Sequence, residues 1–167
     1  YSVLTAAHVV LKPNTYSIIT SDGKQYEINL AMAKFQKGMD LAVVQFNSSN
    51  AYQVATLGTA QLKNNTRVFV SGFPAEQPPQ RVITTGQSVS KEATELAAKE
   101  SYSLVEGVGL LYTNMSYKGM SGGPVLDARG RVIAINTGAE DYNFLTTGKE
   151  PSERLNLGYS LGVPITS

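Results

Sequence analysis

An all-β fold is what this 167-residue sequence predicts, and three observations predict it. Short runs of β-branched and aromatic residues recur along the chain, turn formers separate them, and one stretch alone reads as a helix. The chain opens, with Tyr1-Ser2-Val3-Leu4-Thr5-Ala6-Ala7-His8, in what reads as the middle of a strand. Tyr16–Thr20 and the alternating Gln25–Leu30 follow, and Asp22-Gly23 between them suits the positive backbone angles of a tight hairpin. Leu41–Phe46 is short and apolar enough for a buried strand. Composition then turns polar at Asn47-Ser48-Ser49-Asn50 and again at Gln61–Thr66, which places a linker between residues 48 and 66. Beyond it, Arg67–Ser71 and Arg81–Val89 flank a Gly-Pro loop at 72–79. Leu110–Asn114, Val125-Leu126, Arg131–Asn136 and Leu157–Leu161 bring the second set to six strands, with a further turn at Asp127-Ala128-Arg129-Gly130. Lys91–Glu100 is the helix, rich in Ala and carrying Glu95 and Lys99 at i,i+4.

Composition narrows the chemistry. Fourteen Lys and Arg against thirteen Asp and Glu leave a formal charge of +1, which argues against a nucleic-acid or anionic-membrane partner. Apolar residues make up 42 %, and no apolar run approaches a bilayer span, so a soluble globular protein is expected. No basic leader or long apolar stretch opens the chain, so no signal peptide is expected in it. The absence of Cys removes thiol nucleophiles, disulfides and thiolate metal sites, and a single His removes any site needing two imidazoles. Neither a metal nor a cofactor is expected. Hydroxyl, carboxylate, amine and one imidazole remain.

The segment with the most unusual composition is Lys118-Gly119-Met120-Ser121-Gly122-Gly123-Pro124. Glycines around a serine let main-chain N–H groups be approached closely and let the chain turn sharply. Both suit a nucleophile beside an oxyanion hole, although a Gly-rich turn with an incidental Ser has the same composition. His8 lies between Ala6-Ala7 and Val9-Val10, where a strand end and a short turn could hold it against a cleft; a surface or hydrogen-bonded core His is the plainer reading. Asp40 opens the apolar run Leu41–Val44, and a carboxylate drawn towards a core demands a partner: an imidazole N–H, a Lys or backbone donors.

Chain order discriminates among triads. Gly119 to Gly123 satisfies Gly-x-Ser-x-Gly, but the α/β-hydrolase order needs a His after the Ser, and none follows Ser121. The subtilisin order needs an acid before the His, and none precedes His8. The order His, Asp, Ser remains. A Ser–Lys dyad of Ser121 with Lys118 ranks far behind, because nothing apolar near Lys118 would depress its pKa.

Thr5-Ala6-Ala7-His8, Asp40-Leu41-Ala42-Val43 and Gly119-Met120-Ser121-Gly122-Gly123-Pro124 together resemble the signature blocks of chymotrypsin/trypsin-like serine proteases of the bacterial, disulfide-free type. The resemblance implies two six-stranded antiparallel β-barrels with the site between them. Residues 1–57 would form the first barrel, carrying His8 and Asp40. Residues 58–66 would link it to a second, 67–167, carrying Ser121. It further implies a serine endopeptidase in which His8 is the base, Asp40 its orienting acid and Ser121 the nucleophile. The N–H groups of Gly119 and Ser121 would be the oxyanion hole. A secreted or periplasmic location and a protein or peptide substrate are implied as well.

Two departures from the family pattern carry expectations. Met120 stands where digestive relatives have an Asp that pairs with a new N-terminus, so activation by N-terminal insertion is not expected. Only seven residues precede His8, where the family has two further strands. The first barrel is therefore expected to lack its opening strands, completed by another chain or segment. The alternative function is a catalytically impaired binding module on the same fold. By family spacing Met115 would floor the specificity pocket, with Asn136-Thr137-Gly138 as one wall and Leu157-Gly158-Tyr159 as another. That lining predicts uncharged apolar residues before the scissile bond, and Lys118 at the rim leaves room for an acidic preference.

Overall fold

The computed structural model describes residues 1–75, 80–100, 109–139 and 158–165. The N-terminal part begins with β1 (Ser2–Thr5), whose chain turns through the single-turn helix α1 (Ala7–Val10). Strands β2 (Ser17–Ile19) and β3 (Gln25–Glu27) form a hairpin, Ser17 opposite Glu27. Its turn falls where expected but in another form: Gly23 alone of the Asp-Gly pair has positive φ, +78°. A three-residue loop, Ser21–Gly23, is closed by the Gly23 N–H donating to the Thr20 carbonyl at 2.8 Å and the Thr20 N–H to that of Lys24 at 2.9 Å. The Asp22 carboxylate accepts from the Thr20 hydroxyl, Asn50 Nδ2 and the Tyr52 hydroxyl, and these bonds, led by that from Thr20, hold its pKa down at about 2. The expected strand to Leu30 stops at Glu27. Asn29 accepts from the Ala31 N–H at 3.0 Å and caps a 3₁₀ turn over Leu30–Met32 instead. Such local side-chain-to-backbone bonds compete with strand pairing.

β4 (Lys34–Phe35) and β1 flank β5 (Ala42–Gln45), giving an antiparallel three-stranded sheet in the order β1-β5-β4. Along β5, Ala42 and Val44 are buried and Gln45 is exposed. Ala42 and Val44 pack with Ala7 and Val10 of α1 into a small core, so the helix that carries His8 is seated on the strand that follows Asp40.

The C-terminal part is one antiparallel six-stranded sheet. Its strands are β6 (Arg67–Gly72), β7 (Val82–Gln87), β8 (Leu110–Tyr112), β9 (Pro124–Leu126), β10 (Val132–Ala139) and β11 (Ser160–Pro164). The spatial order is β7-β6-β9-β10-β11-β8. The sheet curls until its edges meet: Ser88, just past β7, bridges Tyr112 of β8, and the Thr113 N–H donates to the Gln87 carbonyl at 3.0 Å. Inside the curl Val68, Val70, Leu110, Tyr112, Met120, Val125 and Ile133 form the main core. Each such aliphatic side chain contributes about 1.5–3 kcal/mol on leaving water. Met120, the residue before Ser121, is thus a core side chain and packs directly on Gly72. The last strand starts later than expected, at Ser160, after Gly158 with φ +71°; Leu157 lies outside the described residues. Helix α2 (Lys91–Glu100) matches its expected span, capped by Ser90 Oγ accepting from the Ala93 N–H at 3.1 Å. Its described ion pair is Lys91–Glu95; the Lys99 side chain lies outside the described residues.

The fold is therefore mostly β, as expected, with a curled six-stranded antiparallel sheet; the described residues do not form two complete barrels. The C-terminal part curls through six strands, whereas the N-terminal part has a three-stranded sheet and a hairpin, with β1 at an open sheet edge. Between the parts, the polar segment after β5 runs to the second sheet, where Val132 takes Thr56 and Gly58 as backbone partners. A third cluster, Ala6 with Val132 and Ile135 and with Leu4, Leu41, Leu126 and Ile165 packed against it, joins the two parts through the residue two before His8. No helix among the described residues is long and apolar enough to cross a membrane.

Candidate active site

His8 reaches its position because Ala6 and Ala7 are small and buried. They let β1 turn at once into α1, with the Val9 N–H donating to the Ala6 carbonyl at 3.2 Å. Asp40 approaches from the start of β5 and holds His8 twice. Its Oδ2 lies 2.6 Å from His8 Nδ1, and its Oδ1 accepts the His8 backbone N–H at 2.8 Å. The Asp40 side chain is 5 % exposed and that of His8 48 %, so the carboxylate is inside and the imidazole faces out. Burial works to raise the Asp40 pKa. Its bonds to the His8 ring, to the backbone N–H groups of His8 and Ala7, and the imidazole charge together outweigh burial and leave it below the usual carboxylate value. An ionised carboxylate accepts only, so the Nδ1 that faces it is the donor and Nε2 is the ring nitrogen left for other partners.

Ser121 sits in a tight turn. The Met120 N–H donates to the Tyr117 carbonyl at 3.0 Å, and the Gly123 N–H to the Met120 carbonyl at 3.1 Å. Gly119 has φ +94° and lies against the Phe73 carbonyl and Ala75 N–H, which a Cβ would meet at 2.6 and 2.7 Å. The Lys118 carbonyl accepts from Ala75 at 2.8 Å, and a trans peptide sets its N–H opposite its C=O. The Gly119 N–H therefore points away from Ala75. Among the described residues neither the Gly119 nor the Ser121 N–H makes a hydrogen bond, while those of Met120, Gly122 and Gly123 all do. Two free donors two residues apart, flanking the serine, are what an oxyanion requires.

Gly122, with φ +85°, abuts Thr5 Oγ1 and lies near the Ala6 N–H, so the turn with Ser121 touches the strand end leading to His8. The Ser121 hydroxyl itself donates to the Thr137 carbonyl at 3.2 Å and not to the imidazole. The structure thus joins His8 to Asp40 and brings the serine turn against their strand, without the second hydrogen bond of a triad. Catalytic hydrogen bonds are often formed only when substrate is present.

The remaining expected site residues divide by burial. Asn136 is fully buried and Thr137 is 8 % exposed. The β10–β11 register slips between Asn136 and Gly138, so Thr137 is an unpaired bulge residue, and Gly138 at φ +138° lets the strand re-aim it. The bulge turns the Thr137 carbonyl to Ser121. Met115 is 64 % exposed, its sulfur 3.6 Å from the Tyr117 hydroxyl and its carbonyl bonded by Thr84 Oγ1. Tyr159 is half-buried and packs on the Leu111–Leu161 cluster. Lys118 is exposed beside the turn. Residues that the sequence did not single out are Ala75, whose N–H orients the Lys118 peptide, and Tyr112, whose buried hydroxyl lies 2.6 Å from Asn136 Oδ1. Burial pushes the Tyr112 phenol well above its usual pKa, so it stays a proton donor. Among the described residues no group of three His, Cys, Asp or Glu could hold a metal.

This chain is 28 % identical over 137 residues to the serine protease Do-like HtrB of Bacillus subtilis (strain 168), and 28 % over 144 residues to the serine protease HTRA1A of Danio rerio. Each match covers 81 % of this chain but 29 % and 27 % of the relative, so the chain spans less than a third of their length. Among solved structures, an HtrA-type protease, AlgW with decapeptide, shares the fold at a TM-score of 0.71 and 20 % identity. That likeness covers 98 % of this chain and 44 % of AlgW. The trypsin-like peptidase domain matches residues 1–135, and with four-fifths of its length matched the chain belongs to that family.

Proposed function

We propose that the chain is a serine endopeptidase acting through His8, Asp40 and Ser121. The observation that carries this reading is the two-pronged hold of Asp40 on His8, which fixes the half-exposed ring through Nδ1 and leaves Nε2 for a substrate-side partner. The free N–H groups beside Ser121 support it. Ser121 Oγ attacks the peptide carbonyl carbon as its proton passes to Nε2, and the oxyanion is held by the N–H groups of Gly119 and Ser121. Collapse expels the amine, which takes the proton from the imidazolium, and leaves an acyl ester on Ser121. Water, deprotonated by His8, then releases the acid. Asp40 stays ionised throughout.

A peptide is the substrate class, in keeping with the decapeptide of AlgW, and the preference before the scissile bond is for uncharged apolar residues. The architecture belonging to this reading is the two-barrel one, divided as 1–57, 58–66 and 67–167. A further segment or a partner chain adds to the open edge at β1. The binding-module alternative is not favoured, since a module has no use for the Asp40–His8 pair or for unpaired N–H groups next to a serine.

A fluorophosphonate probe tests the activity. Labelling that Ser121→Ala abolishes is expected, and no labelling of a cooperatively folded chain would refute the peptidase reading. A panel of fluorogenic peptides tests the preference, which fails if Lys or Arg substrates are cut fastest.

A further inference from the structure

We infer that Asn136 is a positioning residue that clamps the Ser121 turn in the shape that leaves two N–H groups free, a role that rests on the peptidase reading. Every polar atom of Asn136 is committed to this task. Its Nδ2 donates to the Met120 carbonyl at 3.0 Å and to Ser116 Oγ at 2.9 Å. Its backbone carbonyl accepts the Gly122 N–H at 2.7 Å, and its own N–H donates to the Gly123 carbonyl at 2.9 Å. Its Oδ1 accepts from the Tyr112 hydroxyl at 2.6 Å.

The Met120 carbonyl can only accept, so the amide is oriented with nitrogen towards the turn and oxygen towards Tyr112. Tyr112 also lies 2.7 Å from the Leu161 carbonyl, but that carbonyl has a second donor in Thr137 Oγ1. The tyrosine proton is therefore available to Asn136. With Asn136 and Tyr112 both fully buried, water cannot replace a lost partner. The side chain is closed to substrate. It acts on the peptide units either side of Ser121, and tilting either would move the Gly119 and Ser121 donors off the oxyanion.

Two variants of the full chain test this. Asn136→Asp keeps the volume and removes the two Nδ2 donors; Tyr112→Phe removes one hydroxyl and leaves Oδ1 unsupported. With a peptide substrate, kcat is expected to fall about 100-fold in the first, the scale of an ångström-sized misplacement. About tenfold is expected in the second, with KM within about twofold in both, a split that lost stability alone does not produce in a folded enzyme. Backbone amide exchange is read in parallel, and Gly122 and Gly123 should exchange at least about tenfold faster in each variant. If Asn136→Asp does not fold, Tyr112→Phe decides alone. Unchanged kcat in a folded variant of an active enzyme overturns the inference and leaves the peptidase reading intact. If the parent has no Ser121-dependent turnover, the peptidase reading fails. Amide exchange then decides the clamp, and unchanged rates refute it.

Discussion

Gly122→Ala probes the contact on which the site depends most. The substitution adds one methyl at a residue with φ +85°, and that methyl would fall on Thr5 Oγ1 and 3.3 Å from the Ala6 N–H. Two independent costs follow. Holding an alanine in the left-handed region costs roughly 1–2 kcal/mol. Forcing a methyl into occupied space costs about 1–3 kcal/mol, because Thr5 is β-branched and fixed in a strand. The sum, about 2–5 kcal/mol, corresponds to a melting temperature lower by roughly 4–20 °C for a chain of this size. Denaturant unfolding separates the terms when Thr5→Ala is combined with it. Removing Oγ1 should return the steric part, giving a coupling of about 1–3 kcal/mol, and leave the backbone part. Activity should fall with the single substitution even well below the melting temperature, because the clash parts the elements carrying His8 and Ser121. A Gly122→Ala protein within about 0.5 kcal/mol of the parent, or a cycle without coupling, would refute the packing described for this seam.

Asp40→Asn should lower kcat by about 10⁴-fold with little loss of fold, since an amide can present its NH₂ to Nδ1 and favour the wrong tautomer; steady-state kinetics on a peptide substrate measure this. Asp40 also sets a pH limit: its folded pKa lies below the ordinary carboxylate value, so the stability it contributes is present above that value and is lost as pH falls through the folded one. Unfolding free energies from pH 6 down to pH 3 should therefore fall less steeply in Asp40→Asn than in the parent. Asp22, by the same sign, should titrate at about 2 by carboxyl-carbon NMR, and Asn50→Ala should move it upward. Spectrophotometric titration of the phenols should leave Tyr112 un-ionised until the protein unfolds in base, which a titration complete in the native state would contradict.

What could be read in advance was what depends on neighbours in sequence. Asp22-Gly23 marks its hairpin because a short loop is decided by its own backbone angles, here the positive φ of Gly23, and Ser90 starts α2 at the expected residue. His8 and Asp40 were legible for a different reason: with one imidazole in the chain, chemistry and chain order left few arrangements. The misses depend on partners far along the chain. β4 is only Lys34–Phe35 and exists because β5 offers it an edge. The bulge at Thr137 comes from the register between β10 and β11, which no local pattern encodes. Asn136 ends a run that reads simply as a strand, and its hold on the serine turn comes from the closeness of Met120 and Ser116 in space. Small apolar strands and lone polar residues within them look alike in sequence; the fold separates them.

The position of the Ser121 hydroxyl follows from the same non-local geometry. Its bond to the Thr137 carbonyl, at 3.2 Å, is long for a hydroxyl donor and only half-buried, and such a bond contributes about 0.5–1.5 kcal/mol at most. The parts that surround it are held far more firmly: Asp40 grips His8 through two bonds, and the turn is tied by the Gly122 and Gly123 amides, by Ala75 and by Asn136. A hydroxyl turns about Cα–Cβ, whereas the imidazole is pinned by Asp40 and the two free N–H groups move only with their turn. On the proposed reading, the groups whose misplacement is hard to correct are thus fixed, and the serine hydroxyl, which must leave Thr137 in order to attack, is on a weak tether.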